Sequence, residues 1–456
     1  MYEQIQKIFE ILTDNNYEVY IAGGAVRDIV MGMEPNDYDF TTSALPSEVT
    51  DVFTSQGYKV IPTGIDHGTV TLVMDDIPFE LTTYRIDAAC NGRHCEVQFV
   101  RSLEEDIKRR DFTINALVMD KNGEIIDLVN GLEDIKNKII RTVGDPEQRF
   151  HEDYLRILRA IRFSTKLNFN IHPNTYQAIL KLYQNLSKIS RERIRDEFTK
   201  IIQSPNRVKG LTTLYDTGII DLIIPKFSEL AYIDQPPIYH PEGDVLTHTM
   251  LAISYMEEND SLELILSVIL HDIGKPDAYS WDTEKQRITF KGHETISAEK
   301  SKVVLQDLKY DNDMVDKVHY LILNHMVFHK DDIAKLRKST IKKLILIKAE
   351  GHQKLSDEKY VPNPLFDDLV KLYKYDILSS DGNLTNYFKL LKRVTEIREE
   401  IKKEPPIRLI TGYDVMEVGI KPGPIISEIM SKIEDAQLDG TIKTREDALK
   451  YLTDLT

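Results

Sequence analysis

Asp37 and Asp39 are separated by a single residue in Asn36-Asp37-Tyr38-Asp39-Phe40. On an extended backbone, where side chains alternate between faces, both carboxylates fall on one face and Tyr38 and Phe40 on the other. Two carboxylates so placed repel unless a cation lies between them. Mg²⁺ takes oxygen ligands and commonly joins one or two carboxylates to substrate phosphates, so it suits the pair. An exposed acidic strand end accounts for the same spacing. Glu80, in Phe79-Glu80-Leu81-Thr82, is a candidate third carboxylate. Upstream, Val19-Tyr20-Ile21-Ala22 runs into Gly23-Gly24 and then the helical Ala25-Val26-Arg27-Asp28. A strand ending in two glycines before a helix lets backbone N–H groups approach a polyphosphate, and Arg27 can add a charge-assisted contact. A plain structural turn has the same sequence.

A second constellation lies in Glu152-Asp153-Tyr154-Leu155-Arg156-Ile157-Leu158-Arg159-Ala160-Ile161-Arg162-Phe163. Read as one helix, Arg156 stands over Asp153 at i+3 and Glu152 at i+4, with Arg159 a turn further on. A ladder of surface ion pairs is the ordinary explanation. Chemistry offers a sharper one: adenine and cytosine each present an exocyclic amino donor beside a ring-nitrogen acceptor. One carboxylate and one guanidinium satisfy that edge for both bases, whereas guanine and uracil would leave buried groups unpaired. A third constellation ends the apolar run Leu264–Leu270: His271-Asp272, followed by Ile273-Gly274-Lys275-Pro276. Imidazole and carboxylate together suit Mn²⁺, Ni²⁺, Fe²⁺ or Zn²⁺, which lower the pKa of bound water.

The elements that must carry these residues divide the chain unevenly. The first ~140 residues alternate β-rich runs (VYIAGG, DYDFTT, GTVTLVM, FELTTYR) with helical patterns, as α/β or α+β domains do. From Glu152 onward the periodicity is almost entirely helical. Ile5, Ile8, Phe9 and Leu12 space an amphipathic helix at the start rather than a signal peptide. Asp234-Gln235-Pro236-Pro237 and the segment around Pro405 read as linkers.

At 456 residues the chain is long enough for two to four domains, and its 41% hydrophobic and 29% charged content is that of a soluble globular protein. No apolar run approaches the ~20 residues that cross a bilayer, so a cytoplasmic protein without membrane contact is expected. Cys90 and Cys95 cannot alone make a disulfide framework or a zinc site and read as free thiols. A net charge of −16 argues against a simple nucleic-acid binder, yet phosphate binding depends on local clusters. Lys108-Arg109-Arg110, Arg156/Arg159/Arg162/Lys166, Arg191/Arg193/Arg195 and Lys335/Arg337/Lys338/Lys342/Lys343 are such clusters, or else solvated helix faces.

Taken together, Gly23-Gly24-Ala25-Val26-Arg27-Asp28 and the Asp37/Asp39 strand resemble the opening signature of the polymerase β nucleotidyltransferase superfamily. Membership implies a nucleoside triphosphate held with two metal ions while a 3′-hydroxyl attacks the α-phosphate. Arg109-Arg110-Asp111-Phe112-Thr113-Ile114-Asn115-Ala116 resembles the ribose-recognition motif of class II tRNA nucleotidyltransferases and bacterial poly(A) polymerases, and Asp111 is chemically apt to accept from a 2′-hydroxyl. Asp127–Asp134 with Arg141 resembles that family's hinge. By the same resemblance Asp153 and Arg156 form an amino-acid template, and Glu152, Arg159 and Arg162 join Gly23, Gly24, Arg27, Arg110, Asp111 and Asn115 around the nucleotide. Ser190–Glu197, Ile410–Asp414 and Gly419–Pro424 fit later motifs in family order. One stretch departs: where the family carries a flexible loop, Tyr84–Cys95 keeps Arg85, Asp87, Gly92 and Arg93 but replaces an aromatic, an acidic and a basic residue.

His248, His271, Asp272 and Asp376 resemble the ligand set of HD phosphohydrolases, with His293 and His325 spaced as in members that hold two metals. The resemblance implies a head at 1–145, a helical neck for nucleotide and RNA at 146–230, an HD domain at 238–385 and a helical tail contacting tRNA at 400–456. The implied activity is CCA addition to tRNA from CTP and ATP with Mg²⁺, plus HD hydrolysis of 2′,3′-cyclic or terminal phosphates, with no obligate protein partner. A-only or poly(A) addition on the same scaffold is the alternative, and a phosphohydrolase with an RNA-binding head is the third reading.

Overall fold

The computed structural model describes residues 1–88, 92, 96–330, 332–348 and 360–455. Cys90, Cys95 and Arg93 therefore lie outside the described residues. The chain forms two compact units, the first comprising 1–228 with 307–310 and the second 229–306 with 311–456.

The first unit is built on a seven-stranded mixed sheet. Its strands are β1 (Val19–Ala22), β2 (Asp39–Thr42), β3 (Lys59–Gly64), β4 (Thr69–Met74), β5 (Ile77–Thr83), β8 (Val118–Met119) and β9 (Ile125–Ile126), while β6 (Arg85–Ala88) and β7 (Glu96–Phe99) form a separate hairpin. The order is β3-β4-β5-β2-β1-β8-β9, and β2 runs parallel to β5 but antiparallel to β1. The parallel pair matters most here: it sets Asp39 opposite Glu80, while β1 sets Ala22 opposite Asp39. Phe40 is buried and packs edge-on against Phe9 and Phe79, while Asp39 is exposed. The strand begins only at Asp39, so Asp37 lies just before it, and Thr41 and Thr42 are both buried, which departs from the alternation expected over Asp37–Phe40. The N-terminal helix Tyr2–Asp14 buries Ile5, Ile8, Phe9, Ile11 and Leu12, as its spacing requires.

The stretch read as one helix from Glu152 to Phe163 is two. Helix Pro146–Glu152 ends at Asp153, whose φ of −149° and ψ of 108° are extended, and the next helix spans Leu155–Leu167. Asp153 spends its carboxylate on capping, accepting from Leu155 N at 3.0 Å, in competition with helix continuation. This helix packs against Arg191–Ile202, and Ile157, Leu158 and Ile161 of the first and Ile194, Phe198 and Ile201 of the second are buried.

The second unit is mostly helical, with short two-stranded ribbons at Ser280–Asp282/Arg287–Thr289 and Leu346–Lys348/Tyr360–Pro362. Asp234–Pro237 is not a free linker: Asp234 bridges Asp244, and Gln235, only 3% exposed, accepts from Lys275 Nζ at 2.7 Å. The basic cluster around Lys338 is matched within the unit, with Arg337–Asp439 at 2.6 Å, Lys338–Glu400 at 2.6 Å and Lys343–Asp435 at 2.7 Å. The C-terminal helices enclose a small core of their own around Val415, Ile433 and Leu452. Among the described residues no helix is long and apolar enough to cross a membrane.

Gly274 lets its turn press close against the helix His293–Asp307, since a Cβ there would meet Ser297 N at 2.6 Å and His293 O at 2.8 Å. Gly274→Ala is expected to destabilise the second unit by about 1–3 kcal/mol through overpacking. Urea unfolding followed by the fluorescence of Trp281, the chain's single tryptophan, checks this, and a wild-type midpoint would contradict it.

Candidate active site and metal centre

In the first unit, Gly23 caps the helix Gly24–Val30 with φ 70° and ψ −121°, a conformation that favours glycine. Its N–H donates to Leu117 O at 3.1 Å, which leaves the N–H groups from Gly24 onward to meet an anion. The Arg110 guanidinium hangs over this turn, with Nη1 3.4 Å from where a Gly23 Cβ would stand. Beside it Asp37 and Glu80 flank Asp39. The Asp39 carboxyl is pushed up to about 6 by the desolvating strands around it and then by the Asp37 and Glu80 charges, with Arg110 opposing. The residue keeps an exposed side, through which a cation and a triphosphate can enter.

What holds Arg110 there is Asp106, a fully buried carboxylate whose importance the sequence reading missed. Asp106 Oδ2 accepts from Arg110 Nη2 at 3.0 Å and from Thr41 Oγ1 of β2 at 3.1 Å, while Oδ1 accepts from Arg109 Nε at 2.9 Å. Burial opposes its ionisation, but Arg109 and Arg110 hold it below the usual carboxylate range. The available signal was its position three and four residues before Arg109-Arg110 in a helix capped by Ser102.

Deeper in, Arg27 Nη1 donates to Asn115 Oδ1 at 2.6 Å, and Asn115 Nδ2 reaches Asp111 Oδ1 at 3.4 Å. Asp111 Oδ2 accepts from Arg159 Nε at 2.8 Å and Nη2 at 2.5 Å. Burial works against the Asp111 charge, yet Arg159 holds the carboxyl down at about 2. Arg162 pairs with Glu197 at 2.9 Å and lies 4.3 Å from the Phe163 ring centroid. Thus Arg27, Arg110, Asp111, Asn115, Arg159 and Arg162 share one lattice.

The two residues expected to read the base are not paired with each other. Arg156 Nη1 binds Glu152 at 2.5 Å, and its Nη2 reaches Asp87 of β6 at 3.3 Å and the Arg109 carbonyl at 3.2 Å. Asp153 accepts instead from Arg193 Nη2 at 2.7 Å. The extended conformation at Asp153 that splits the helix is the cause, because it removes the i+3 relation assumed from spacing.

In the second unit, buried imidazoles and carboxylates converge. Among the described residues, His248/His271/Asp376 and Asp272/His293/His325 are groups whose ligand atoms all lie within 4.8 Å of one another; Asp37, Asp39 and Glu80 do not meet that criterion. His271, His293 and His325 each direct Nδ1 at a backbone carbonyl, of Val268 at 2.9 Å, Phe290 at 2.8 Å and Ile322 at 2.6 Å. Donation from Nδ1 assigns the tautomer and leaves the Nε2 lone pairs facing inward. The Nε2 atoms of His293 and His325 are 3.1 Å apart, and Asp272 stands beside them with its carboxylate 3.3 Å from His293 Nε2 and 3.2 Å from His271 Nε2. Facing lone pairs at that distance repel, and a divalent cation is the natural remedy, so the donor set fits a transition metal.

The surrounding charges agree. Burial and the neighbouring His271 and His293 push His325 down to about 3. Burial also works against His248, but hydrogen bonds to Asp376 and Glu242 hold it up at about 9. Asp272 and Asp376 lie well below the usual carboxylate range despite burial, the first beside His271 and Lys275, the second beside His329 and His248. Three contributors were not foreseen: Glu242, which accepts from His240 and His248 at 2.8 and 2.7 Å; Lys275, 2.6 Å from Asp272; and His329, 3.0 Å from Asp376.

Comparison with known proteins bears on both sites. Residues 19–141 match the Poly A polymerase head domain, 168–230 the probable RNA and SrmB-binding site of polymerase A, and 238–392 the HD domain. A CCA-adding enzyme of Ligilactobacillus salivarius is 32% identical over 441 residues, 95% of this chain and 92% of that protein. One of Lactobacillus helveticus is 47% identical over 223 residues, so that the match spans 48% of this chain and 55% of that protein. The crystal structure of Bacillus stearothermophilus CCA-adding enzyme in complex with CTP superposes with a TM-score of 0.63 at 26% identity, covering 100% of this chain and 97% of that one. That of the Thermotoga maritima CCA-adding enzyme complexed with tRNA, 20% identical at a TM-score of 0.60 over 99% of this chain and 95% of that one, shares the fold. Nearly full-length likeness above 30% identity, with the head and HD patterns in order, establishes that the chain belongs to the CCA-adding enzymes, a family of tRNA nucleotidyltransferases.

Proposed function

We propose that the chain completes tRNA 3′ ends by adding C, C and A in turn from CTP and ATP, with the first unit carrying the transfer. The observation that supports this most directly is the register of β2 between β1 and β5. It gathers Asp39, Asp37 and Glu80 beside the Gly23-Gly24 turn under Arg110. Mg²⁺ bound there would lower the pKa of the attacking 3′-hydroxyl and neutralise charge on the departing pyrophosphate. Gly24 N–H and Arg110 orient the triphosphate, and Asp111, held ionised by Arg159, accepts a ribose hydroxyl. Arg156 must leave Glu152 and Asp87 before it can face a base, so the pairing described above is the closed form of the template. Addition of A alone, or of poly(A), remains the alternative on this scaffold, and incorporation of labelled CTP into tRNA ending at the discriminator base separates the readings. Head at 1–145, neck at 146–230, HD body at 238–385 and tail at 400–456 is the working division.

The second unit, in this reading, hydrolyses 2′,3′-cyclic or terminal phosphates, supported by the three inward Nε2 lone pairs with Asp272 and Asp376. His248, His271, Asp272 and Asp376 would hold the metal, with His293 and His325 extending the set. A bound Mn²⁺, Ni²⁺, Fe²⁺ or Zn²⁺ would supply an acidified water. Lys275 is placed to neutralise a phosphoryl oxygen.

Asp39→Asn should abolish CTP and ATP incorporation. Because folding raises the Asp39 carboxyl from its ordinary 3.8 to about 6, its charge disfavours the native state above that range and has no effect below pH ~4. The same variant should therefore melt higher than wild type at pH 8 without Mg²⁺ and equally at pH 4; a lower melting point at pH 8 contradicts the like-charge account. Arg156→Ala should erode the preference for CTP over UTP by about tenfold or more, the scale of an unpaired polar edge, as read from competition kinetics. Asp272→Asn should lose the transition metal, measured by elemental analysis, and cyclic-phosphate hydrolysis, while CCA addition persists.

A further inference from the structure

The ribbon Ser280–Asp282/Arg287–Thr289 has two unlike faces. Its antiparallel register pairs Ser280 with Thr289, Trp281 with Ile288 and Asp282 with Arg287. Directly opposed residues project to one side, so Trp281 and Ile288 share a face, and Asp282 and Arg287 share the other. The polar face is anchored: Arg287 Nη1 donates to Tyr239 Oη at 2.5 Å, with its guanidinium carbon 4.9 Å from the ring centroid. Tyr239 precedes His240, whose ring lies 5.1 Å from that of His248. The apolar face begins at the metal centre. Lys275 Nζ, 2.6 Å from Asp272, is 5.5 Å from the Phe290 ring centroid, and Phe290 meets Tyr279 edge-on at 6.0 Å. Tyr279 and Trp281 then continue outward at strand spacing, 48% and 54% exposed.

Two half-exposed aromatic rings at strand spacing, continuous with a cluster of metal ligands, are placed to meet a ligand of that centre. Planar rings at intervals of two strand residues match the stacking of successive unpaired bases, which tolerates any sequence. A protein partner would need a broader apolar surface, whereas this face is one ribbon wide and ends at groups suited to a phosphate. We propose that the Tyr279/Trp281 face stacks the unpaired bases of an RNA 3′ end and presents the terminal phosphate to the His271–Asp272 centre. The proposal rests on the phosphohydrolase reading of that centre and narrows its substrate to the end of a single strand of RNA.

Trp281 is its own reporter. The full-length protein is titrated with a four-nucleotide RNA ending in a 2′,3′-cyclic phosphate, with the corresponding nucleoside cyclic phosphate, and with inorganic phosphate. Saturable quenching by the RNA, weakened about tenfold in Tyr279→Ala as loss of one stacking partner requires, is expected, with no quenching by inorganic phosphate. Quenching by the RNA that is much stronger than by the mononucleotide is what stacking of successive bases requires; equal quenching by the mononucleotide overturns it. No response to either, or equal quenching by inorganic phosphate, overturns the proposal. Turnover separates it from the reading beneath it: in Trp281→Ala the ratio of RNA cyclic-phosphate to glycerol 1,2-cyclic phosphate hydrolysis should fall about tenfold. Absence of hydrolysis of both substrates by wild type would defeat the phosphohydrolase reading, whereas an unchanged ratio in the variant would defeat only the stacking face.

Discussion

Like groups held at close quarters organise both halves of this protein. In the first unit the parallel pairing of β2 with β5 forces Asp39 against Glu80 with Asp37 alongside. In the second, carbonyls of Val268, Phe290 and Ile322 fix three imidazoles so that their lone pairs converge. Neither arrangement is one that the chain would adopt for its own stability, because like charges or facing lone pairs lose energy as they approach. The backbone imposes them, through strand register in one case and, in the other, the carbonyls of two helix ends and of the loop residue Phe290. A site that is unfavourable when alone is favourable for whatever cation relieves it.

The partners of these groups are as specific as the groups themselves. Asp106 takes three side-chain donors from two elements, linking Arg109 and Arg110 to Thr41 on β2. Glu242 plays the corresponding part behind His248. Both are carboxylates ionised in spite of desolvation, and each is held by the side chain that it orients. Removing either would leave a buried cation or imidazole without its counterpart, which costs more than the original contact contributed.

The sequence made the strand–glycine–glycine turn, the Asp37/Asp39 pair and His271-Asp272 legible because each depends on residue type at short spacing. Glu80 was a candidate third carboxylate only because it is acidic and strand-borne; its pairing with Asp39 is a parallel, non-local register that no local pattern encodes. The helix from Glu152 was over-read, since nothing in its periodicity reveals that Asp153 turns extended to cap its successor. Asp234–Pro237 looked like a linker because prolines mark turns, yet burial of Gln235 against Lys275 depends on tertiary packing. The Trp281 ribbon escaped notice because its three-residue strands are too short for an alternation to register.

The four cations of the basic run Arg337–Lys343 face Glu400, Glu434, Asp435 and Asp439, and the chain as a whole carries a net charge of −16. A polyanion near that run therefore meets no surplus of positive charge, and beyond about 8 Å at physiological ionic strength it meets almost no field at all. Any attraction that this run exerts is short-ranged, because its cations already face carboxylates. Electrostatics then acts as an orientational filter: a nucleic acid arriving in the wrong pose is repelled before it can linger, and a finished product is not retained by the rest of the surface. Acidity, which at first argues against an RNA partner, is on this view what keeps the encounter brief and selective.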